Sequence, residues 1–294
     1  MKKILYEGIG SLSQLLGLRQ SQHLGQALGR IMWYLLPGRR KLATRAIQKH
    51  LDIGLEESRK LAKDNFQRTG CSFFELFLNR QVDFRFAQNN VRIIDPEGFF
   101  HILRQKRPIV LVSGHLGSWE LLAGVISLYS QPRPTQAVMH FSRNQELNRL
   151  LTHFRQKSST EVISNRKTTT QIVRHLKRNG MTGFLVDHNC TRRKALFLPF
   201  LQDTAAVNKG PATLAYLSKA LIWPVFLIRG ESRSYELHHR PPLDSLALTG
   251  DKTDIIRQIS LFYTRAVQEM VYSYPEQWFW MHNRWKTRPK PGQA

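Results

Sequence analysis

The chain has 294 residues, of which 41% are hydrophobic and 10% aromatic, so it is long and apolar enough to bury a core and is not a disordered chain. Its 44 lysines and arginines against 21 acidic residues give a net charge of +23, which attracts nucleic acid, anionic membranes or an acidic carrier protein. The two cysteines, Cys71 and Cys190, are too few for a disulfide framework or a zinc site and favour reduced thiols in a cytosolic environment.

Residues 4–36 have the apolar pattern of one or two helices. They contain no run of 18 apolar residues, and "MKKILYEGIG" lacks the apolar stretch and cleavage site of a secretory signal, so we expect neither a membrane-spanning helix nor a signal peptide. The aromatic pair at 33–34 and the basic "PGRRK" at 37–41 favour a membrane-surface anchor, although two ordinary core helices fit the same pattern. We predict a membrane-associating helical extension at 1–38 and a single domain at 39–294.

The rest of the chain changes from a helical region to alternating strands and helices. Residues 39–80 read as helical, and short apolar strands then alternate with helical stretches. The predicted strands are 91–94, 108–114, 135–140, 161–164 and 181–187, continued by "ALFLPF", "LIWPVFLIR" and "YELHH", with helices at about 96–105, 118–130, 144–157, 168–179, 208–219 and 253–273. This alternation predicts an α/β fold with a mostly parallel central sheet and flanking helices.

The stretch "VLVSGHLGSWELLAG" places His115 and Glu120 where a buried strand turns into a helix. Active sites of open α/β sheets lie at the carboxyl ends of strands, so His115 is a candidate general base. Glu120, in the first turn of the helix, could accept a hydrogen bond from the imidazole and fix its tautomer. The alternative is that Ser118 caps the helix and Glu120 is an ordinary first-turn acid.

Other polar residues extend this candidate site. Asp187 ends the strand "MTGFLVD" and Arg155 lies on a predicted helix, although, taken alone, a strand-end cap and a solvated helical charge explain them better. The basic groups at 104–107, 192–194 and 284–290 are too numerous to be only solvated faces. We find no Gly-x-Ser-x-Gly elbow, phosphate-binding glycine loop or His/Cys metal spacing, so an enzyme here would use neither a protein nucleophile nor a metal.

Several strings together resemble the late acyltransferases of bacterial lipid A biosynthesis, the lauroyl/myristoyl acyltransferase family. "GHLGSWELLAG" resembles the family's His-x4-Asp/Glu signature, and "FSRNQELNRLLTHFR" its Asn…Arg helix. "VDHNCTRRKALFLPF" is similar to its Asp-His/Gln strand end, and "YPEQWFWMHNRWKTRP" to its C-terminal signature. The resemblance runs from about residue 40 to residue 290.

The resemblance implies transfer of an acyl chain from an acyl carrier protein thioester, or less often acyl-coenzyme A, to a hydroxyl of a Kdo-bearing lipid A precursor. It implies no cofactor, and it places the enzyme at the cytoplasmic face of the inner membrane. His115 and Glu120 are then the catalytic pair. The expected substrate-binding residues are Asn144, Arg155, Asp187, Arg192 and Arg193. An alternative is a related acyltransferase acting on another glycolipid or phospholipid, and a non-catalytic basic protein that holds nucleic acid or anionic lipid is the competing class.

Overall fold

The computed structural model describes residues 17–139, 148, 160–164, 169–230 and 234–290, leaving aside the side chains of residues 80 and 164. Nine α-helices are found in this part of the chain. They are α1 (Leu18–Leu35), α2 (Pro37–Leu51), α3 (Leu55–Leu78), α4 (Phe84–Asn90), α5 (Pro96–Arg104), α6 (Trp119–Tyr129), α7 (Thr169–Lys177), α8 (Gly210–Ser218) and α9 (Lys252–Ser273). The predicted helix at 144–157 and the first residues of the N-terminal prediction lie outside the described residues.

An eight-stranded sheet forms the centre of the fold. Its order is β1-β9-β8-β2-β5-β3-β4, with β10 pairing on β8. The strands are β1 (Val91–Ile93), β2 (Ile109–Ser113), β3 (Thr135–Met139), β4 (Glu161–Ser164), β5 (Met181–Leu185), β8 (Leu221–Arg229), β9 (Tyr235–His239) and β10 (Leu243–Asp244). All pairs are parallel except those of β8 with β9 and β10, so the predicted mostly parallel α/β sheet is confirmed.

The central strands are buried on both faces. In β2, Val110 and Val112 pack into one hydrophobic cluster, whereas Ile109 and Leu111 pack into a second cluster on the other face. β8 is buried along its whole length in the same way. This explains the uninterrupted apolar runs of these strands, because a parallel strand covered by helices on both sides has no polar face.

The prediction that "ALFLPF" continues the main sheet is wrong. This segment is β6 (Ala195–Phe200), and it pairs antiparallel with β7 (Asp203–Asn208) in a separate two-stranded sheet. Leu201 between them has a left-handed backbone, with φ of 54°, which turns the chain back on itself. An apolar run alone does not distinguish a strand of the main sheet from a hairpin packed beside it.

The packing of α1 is inverted relative to an ordinary core helix. Its small residues Gly25 and Gly29 lie against α3, where a Cβ on Gly25 would come within 2.5 Å of the Cys71 Cα. Gly70 of α3 approaches α1 equally closely. The two backbones therefore meet through glycines, and Trp33, at the end of α1, packs edge-on against Phe66 of α3.

The outward face of α1 is apolar. Leu24, Ile31 and Leu35 are spaced so that they share one helical face, and they are 42%, 53% and 71% exposed. Among the described residues no helix is long and apolar enough to cross a bilayer.

Candidate active site

The candidate site lies in the turn that joins β2 to α6, at the carboxyl end of the central strands. β2 pairs with β5 in parallel, with Ser113 opposite Leu185, so the residues that follow the two strands are neighbours. Those residues include His115 on one strand end and Asp187 on the other. The fold therefore joins two candidates that are 72 positions apart in the sequence.

Asp187 holds His115 at two points. Nδ1 of the imidazole lies 2.7 Å from Asp187 Oδ1, and the backbone N–H of His115 donates to Asp187 Oδ2 over 2.8 Å. The indole N–H of Trp278 also donates to Oδ2, at 2.8 Å. The side chain of Asp187 is only 3% exposed and that of His115 is 16% exposed. The carboxylate is thus enclosed and fully engaged, whereas the imidazole reaches the surface.

These contacts determine the charge of Asp187. Burial alone would raise the pKa of the carboxyl, but the His115 imidazole and the hydrogen bonds from His115 and Trp278 outweigh it and hold the pKa well below its usual range. Asp187 is therefore an anion at neutral pH. An ionised acceptor at Nδ1 favours the tautomer in which Nδ1 carries the proton and Nε2 keeps a free lone pair.

Two further histidines surround the dyad. The ring of His188 stands edge-on to His115, with centroids 3.9 Å apart, and to His282, with centroids 4.4 Å apart. Although His188 keeps solvent-exposed surface, desolvation by the surrounding protein and the nearby His115 lower its pKa to about 3. Burial lowers the pKa of His282 to about 4. Both rings are therefore neutral near pH 7, and His282 Nε2 accepts a hydrogen bond from the Asn189 backbone N–H.

The same cluster is the place to consider for a metal ion. Ligand atoms of His115, Asp187 and His188 lie within 4.8 Å of one another. However, both oxygens of Asp187 already accept hydrogen bonds, from the imidazole, the backbone and Trp278. This arrangement fits a hydrogen-bonded acid–base dyad better than a set of metal ligands.

The turn that carries His115 is fixed on its other side by a buried ion pair. Arg229 of β8 donates to both carboxylate oxygens of Glu75 on α3, each at 2.7 Å. The same guanidinium donates to the carbonyl of Gly117 at 3.0 Å, and Ser118 Oγ donates to Glu75 at 3.1 Å. Ser118 occupies the N-cap position of α6 without a side-chain cap hydrogen bond, so the alternative in which its hydroxyl caps this helix is wrong.

The C-terminal signature completes this clamp. Gln277 accepts from the Arg229 backbone N–H at 3.1 Å and donates to its carbonyl at 3.0 Å, while its own carbonyl accepts from Gly117. The Phe279 N–H donates to the carbonyl of His115 at 2.9 Å. Sequence reasoning marked the signature as a family feature but did not identify Glu75, Arg229 or Trp278, whose roles come from contacts distant in the sequence.

The remaining predicted residues take different positions. Glu120 lies in the first turn of α6, where it accepts a hydrogen bond from the Trp119 indole at 3.2 Å, whereas the partner of His115 Nδ1 is Asp187. Arg192 donates to the carbonyl of Arg288, away from the dyad. Arg193 lies beside it in the same short helical turn. Asn144 and Arg155 lie outside the described residues.

An aromatic wall borders the imidazole. Trp119 and Phe279 lie next to His115, with ring centroids 5.6 and 6.3 Å from it. Phe73 of α3 packs edge-on to Phe279 and is 38% exposed. The His115 imidazole therefore lies between a polar histidine cluster and an aromatic surface that reaches solvent at Phe73, an arrangement suited to a substrate that is polar at its reacting centre and apolar beyond it.

Comparison with known proteins identifies the family. The model of the family described as bacterial lipid A biosynthesis acyltransferase matches residues 2–287. The lipid A biosynthesis lauroyltransferase of Escherichia coli K12 is 26% identical over 270 residues, covering 91% of this chain and 85% of that protein. The lipid A biosynthesis palmitoleoyltransferase of the same strain is 27% identical over 277 residues, covering 90% and 85%. A lipid A biosynthesis acyltransferase of Haemophilus influenzae is 24% identical over 276 residues, covering 91% and 85%. This chain therefore belongs to the bacterial lipid A biosynthesis acyltransferase family and is an acyltransferase.

Proposed function

We propose that the enzyme transfers a fatty acyl chain from the thioester of an acyl carrier protein to a hydroxyl of a Kdo-bearing lipid A precursor, with His115 as general base. The observation that carries the proposal is the dyad, in which Asp187 holds Nδ1 at 2.7 Å and leaves Nε2 as the basic nitrogen. A thioester is already activated, so the site has to position and deprotonate the acceptor rather than form an acyl-enzyme.

The proposed reaction is a single displacement at the thioester carbonyl. Nε2 of His115 removes the proton of the acceptor hydroxyl as its oxygen attacks the carbonyl carbon. The C–S bond then breaks, and the imidazolium returns the proton to the leaving thiolate. Asp187 stabilises the transient imidazolium without accepting a proton, in keeping with its lowered pKa. A positioned base of this kind contributes about 10²–10⁴-fold to the rate.

The roles of the other predicted residues follow from this centre. We assign the aromatic wall of Trp119, Phe279 and Phe73 to the methylene chain beside the reacting carbonyl. Glu120, which holds the Trp119 indole, then shapes this wall next to the base. Arg155 is proposed to contact a phosphate or the developing oxyanion, and Asn144 to support it.

The acceptor is a lipid, and α1 offers a way to reach it. Its exposed leucine and isoleucine face and the basic "GRRK" after Pro37 support the proposal that α1 lies on the cytoplasmic face of the inner membrane. The net charge of +23 suits both an anionic membrane and an acidic carrier protein. Replacing Ile31 and Leu35 by glutamine should release the protein from vesicles, and unchanged sedimentation would argue against this part of the proposal.

The catalytic proposal is tested with purified variants, acyl carrier protein thioesters and the lipid A precursor. We expect His115→Ala to lose about 10³-fold or more of its turnover while its unfolding midpoint is unchanged. The matched control is His101→Ala, which removes an exposed histidine from α5 and should leave turnover unchanged. Near-normal turnover of folded His115→Ala would contradict the mechanism. Turnover with another phosphorylated lipid but not with the lipid A precursor would change the acceptor and keep the mechanism.

A further inference from the structure

A basic cleft lies along β6, the strand that begins eight positions after Asp187. It has a volume of about 740 Å³. Its cations come from three separate parts of the chain: the turn before β6, the helix α9 and the C-terminal segment. The lining residues are Arg192, Arg193, Ala195, Leu196, Phe197, Arg257 and Lys290.

Among the described residues, no carboxylate pairs with the cations of this cleft. No carboxylate lines it, and the structure gives Arg193, Arg257 and Lys290 no hydrogen bond or ion pair within the described part of the chain. Some exposed cations elsewhere do form ion pairs, as Lys49 and Arg288 do with Asp203. Four cations around one concavity repel one another, so their arrangement favours the arrival of a multiply charged anion.

The cleft is connected to the dyad by two segments that run side by side. At the near end the Asn189 N–H donates to His282, which contacts His188. Further along, Asn189 and Thr287 exchange two hydrogen bonds of 3.0 Å. At the far end Arg192 donates to the carbonyl of Arg288 over 3.2 and 2.9 Å. The histidines therefore lie at one end of this hydrogen-bonded pair of segments, and the cleft lies at the other.

This connection limits the distance between the two ends. Arg193 follows His188 by five positions, and an extended chain of that length reaches at most about 18 Å. A single substrate molecule of moderate size can therefore have its reacting hydroxyl at His115 and an anionic group in the cleft.

We propose that the cleft is the subsite for the phosphorylated sugar headgroup of the glycolipid acceptor, an assignment that rests on the proposed function. The guanidinium groups match phosphate oxygens as forked donors, and Lys290 adds a point charge. Phe197, which also lines the cleft, gives an apolar surface on which the carbon face of a sugar ring packs. Four cations suit a headgroup with several negative charges better than the single phosphodiester of a carrier-protein arm. A concave cleft also suits a headgroup better than the convex surface of an acidic protein.

The test is a binding measurement that does not depend on turnover. Neutral phosphatidylcholine vesicles carry either the phosphorylated Kdo-bearing precursor or the same glycolipid after phosphatase treatment, and the bound enzyme is measured by sedimentation. The cleft variant is Arg193→Gln/Arg257→Gln/Lys290→Gln, which spares the structural Arg192. We expect it to lose at least about ten-fold of the phosphate-dependent binding, since each cation contributes on the order of 1 kcal/mol near an anionic surface.

The control variant removes the same number of charges from the amino ends of the central strands, opposite the carboxyl ends that carry the dyad. Arg104→Gln/Lys106→Gln/Arg178→Gln also replaces two arginines and one lysine, and all three side chains are exposed before β2 or β5. Its phosphate-dependent binding should stay within about two-fold of the wild type. Equal losses in both variants, or no loss in the cleft variant, would overturn the proposal. So would a raised KM for the acyl carrier protein with intact glycolipid binding, which would reassign the cleft to the donor.

The same assay separates this subsite from the catalytic proposal. His115→Ala should bind phosphorylated vesicles like the wild type although it does not turn over, because His115 does not line the cleft. If His115→Ala proves active, the mechanism fails and the binding result still decides the subsite. If the cleft variant binds normally, the subsite fails and the mechanism is unaffected.

Discussion

Two buried carboxylates support the same turn from opposite sides. Asp187 accepts from the imidazole, the backbone N–H of His115 and the indole of Trp278. Glu75 accepts from Arg229 at both oxygens, from Ser118 and from the hydroxyl of Tyr235 at 3.0 Å. Their side chains are 3% and 1% exposed, so burial and the number of donors do not distinguish them.

The difference lies in the cation that each carboxylate faces. Glu75 faces a guanidinium that is always protonated, so its pair stores no mobile proton and serves only to fix the backbone. Asp187 faces an imidazole whose second nitrogen can take and return a proton. Under the proposed mechanism, one carboxylate therefore supports folding and the other chemistry. Replacing each in turn should affect two different measurements.

Asp187→Asn should give the largest loss of activity. The amide can still accept from the His115 backbone and Trp278, but an N–H facing Nδ1 reverses the tautomer and leaves Nε2 protonated. We expect turnover to fall by about 10³–10⁴-fold, measured in the acyl-transfer assay. In the His115→Ala background the same substitution should add little, because the two side chains act as a unit. Additive losses would mean that Asp187 acts independently of His115.

Glu75→Gln should mainly reduce stability. The substitution leaves the guanidinium of Arg229 buried without its counterion, which costs about 3–5 kcal/mol in the free energy of unfolding. Urea denaturation measures the loss. The matched control is Asp64→Asn, which breaks the half-exposed pair of Asp64 with Arg68 on the same helix and should cost less than about 1 kcal/mol. Similar costs for the two variants would show that the buried pair does not hold the turn.

The sequence predicts where the candidate base lies but not which side chain contacts its Nδ1. A candidate base at the end of an apolar strand is visible locally, and the structure places His115 at such an end. Local spacing then suggests Glu120, five positions away, as the group that orients it. The observed Nδ1 partner, Asp187, becomes a neighbour only because β5 pairs with β2, and strand order is not encoded in the periodicity of either strand.

The sequence also predicts which segments are helices or strands better than it predicts which strands pair in one sheet. The doubly buried strands β2 and β8 are clear because their apolar runs are continuous. The strand β6 has a similar apolar run, but it pairs with β7 in a separate hairpin. The position of Glu75 in the apolar stretch "SFFELFL" indicates a buried ion pair, because a carboxylate has to be paired when it is buried.

Gly117→Ala should disturb the turn that both Asp187 and the Glu75–Arg229 pair hold in place. Gly117 has φ of +63°, and a Cβ there would come within 2.2 Å of the Leu227 carbonyl oxygen. We expect a loss of about 2 kcal/mol in stability, together with reduced turnover as His115 moves. Gly38→Ala is the control, since nothing lies within 4 Å of its Cβ position and it is at the start of α2. A thermal unfolding midpoint equal to that of the control would show that the turn relaxes freely.

His50 should give the smallest effect, a pH dependence of the free energy of unfolding. It tests how burial alone changes the pKa of a histidine that has no carboxylate hydrogen-bonded to it in the described part of the chain. It stacks on Trp285 with centroids 3.6 Å apart and is 3% exposed. Burial, together with the charge of Lys49, lowers its pKa from 6.5 to about 4. Below pH 6.5 the unfolded chain gains a proton that the folded protein does not bind until about pH 4, so stability falls as the pH falls through this window.

The slope of this loss identifies the residue. One such group lowers the free energy of unfolding by at most about 1.4 kcal/mol for each pH unit, and His282, whose pKa is also about 4, contributes in the same range. His50→Phe keeps an aromatic ring against Trp285 and should remove one proton's worth of slope between pH 6 and pH 5, as measured by urea denaturation. An unchanged slope would mean that His50 is protonated in the folded protein. Asp187, which its hydrogen-bond partners keep charged, would then no longer contrast with His50, because burial without such partners would not keep the His50 imidazole neutral.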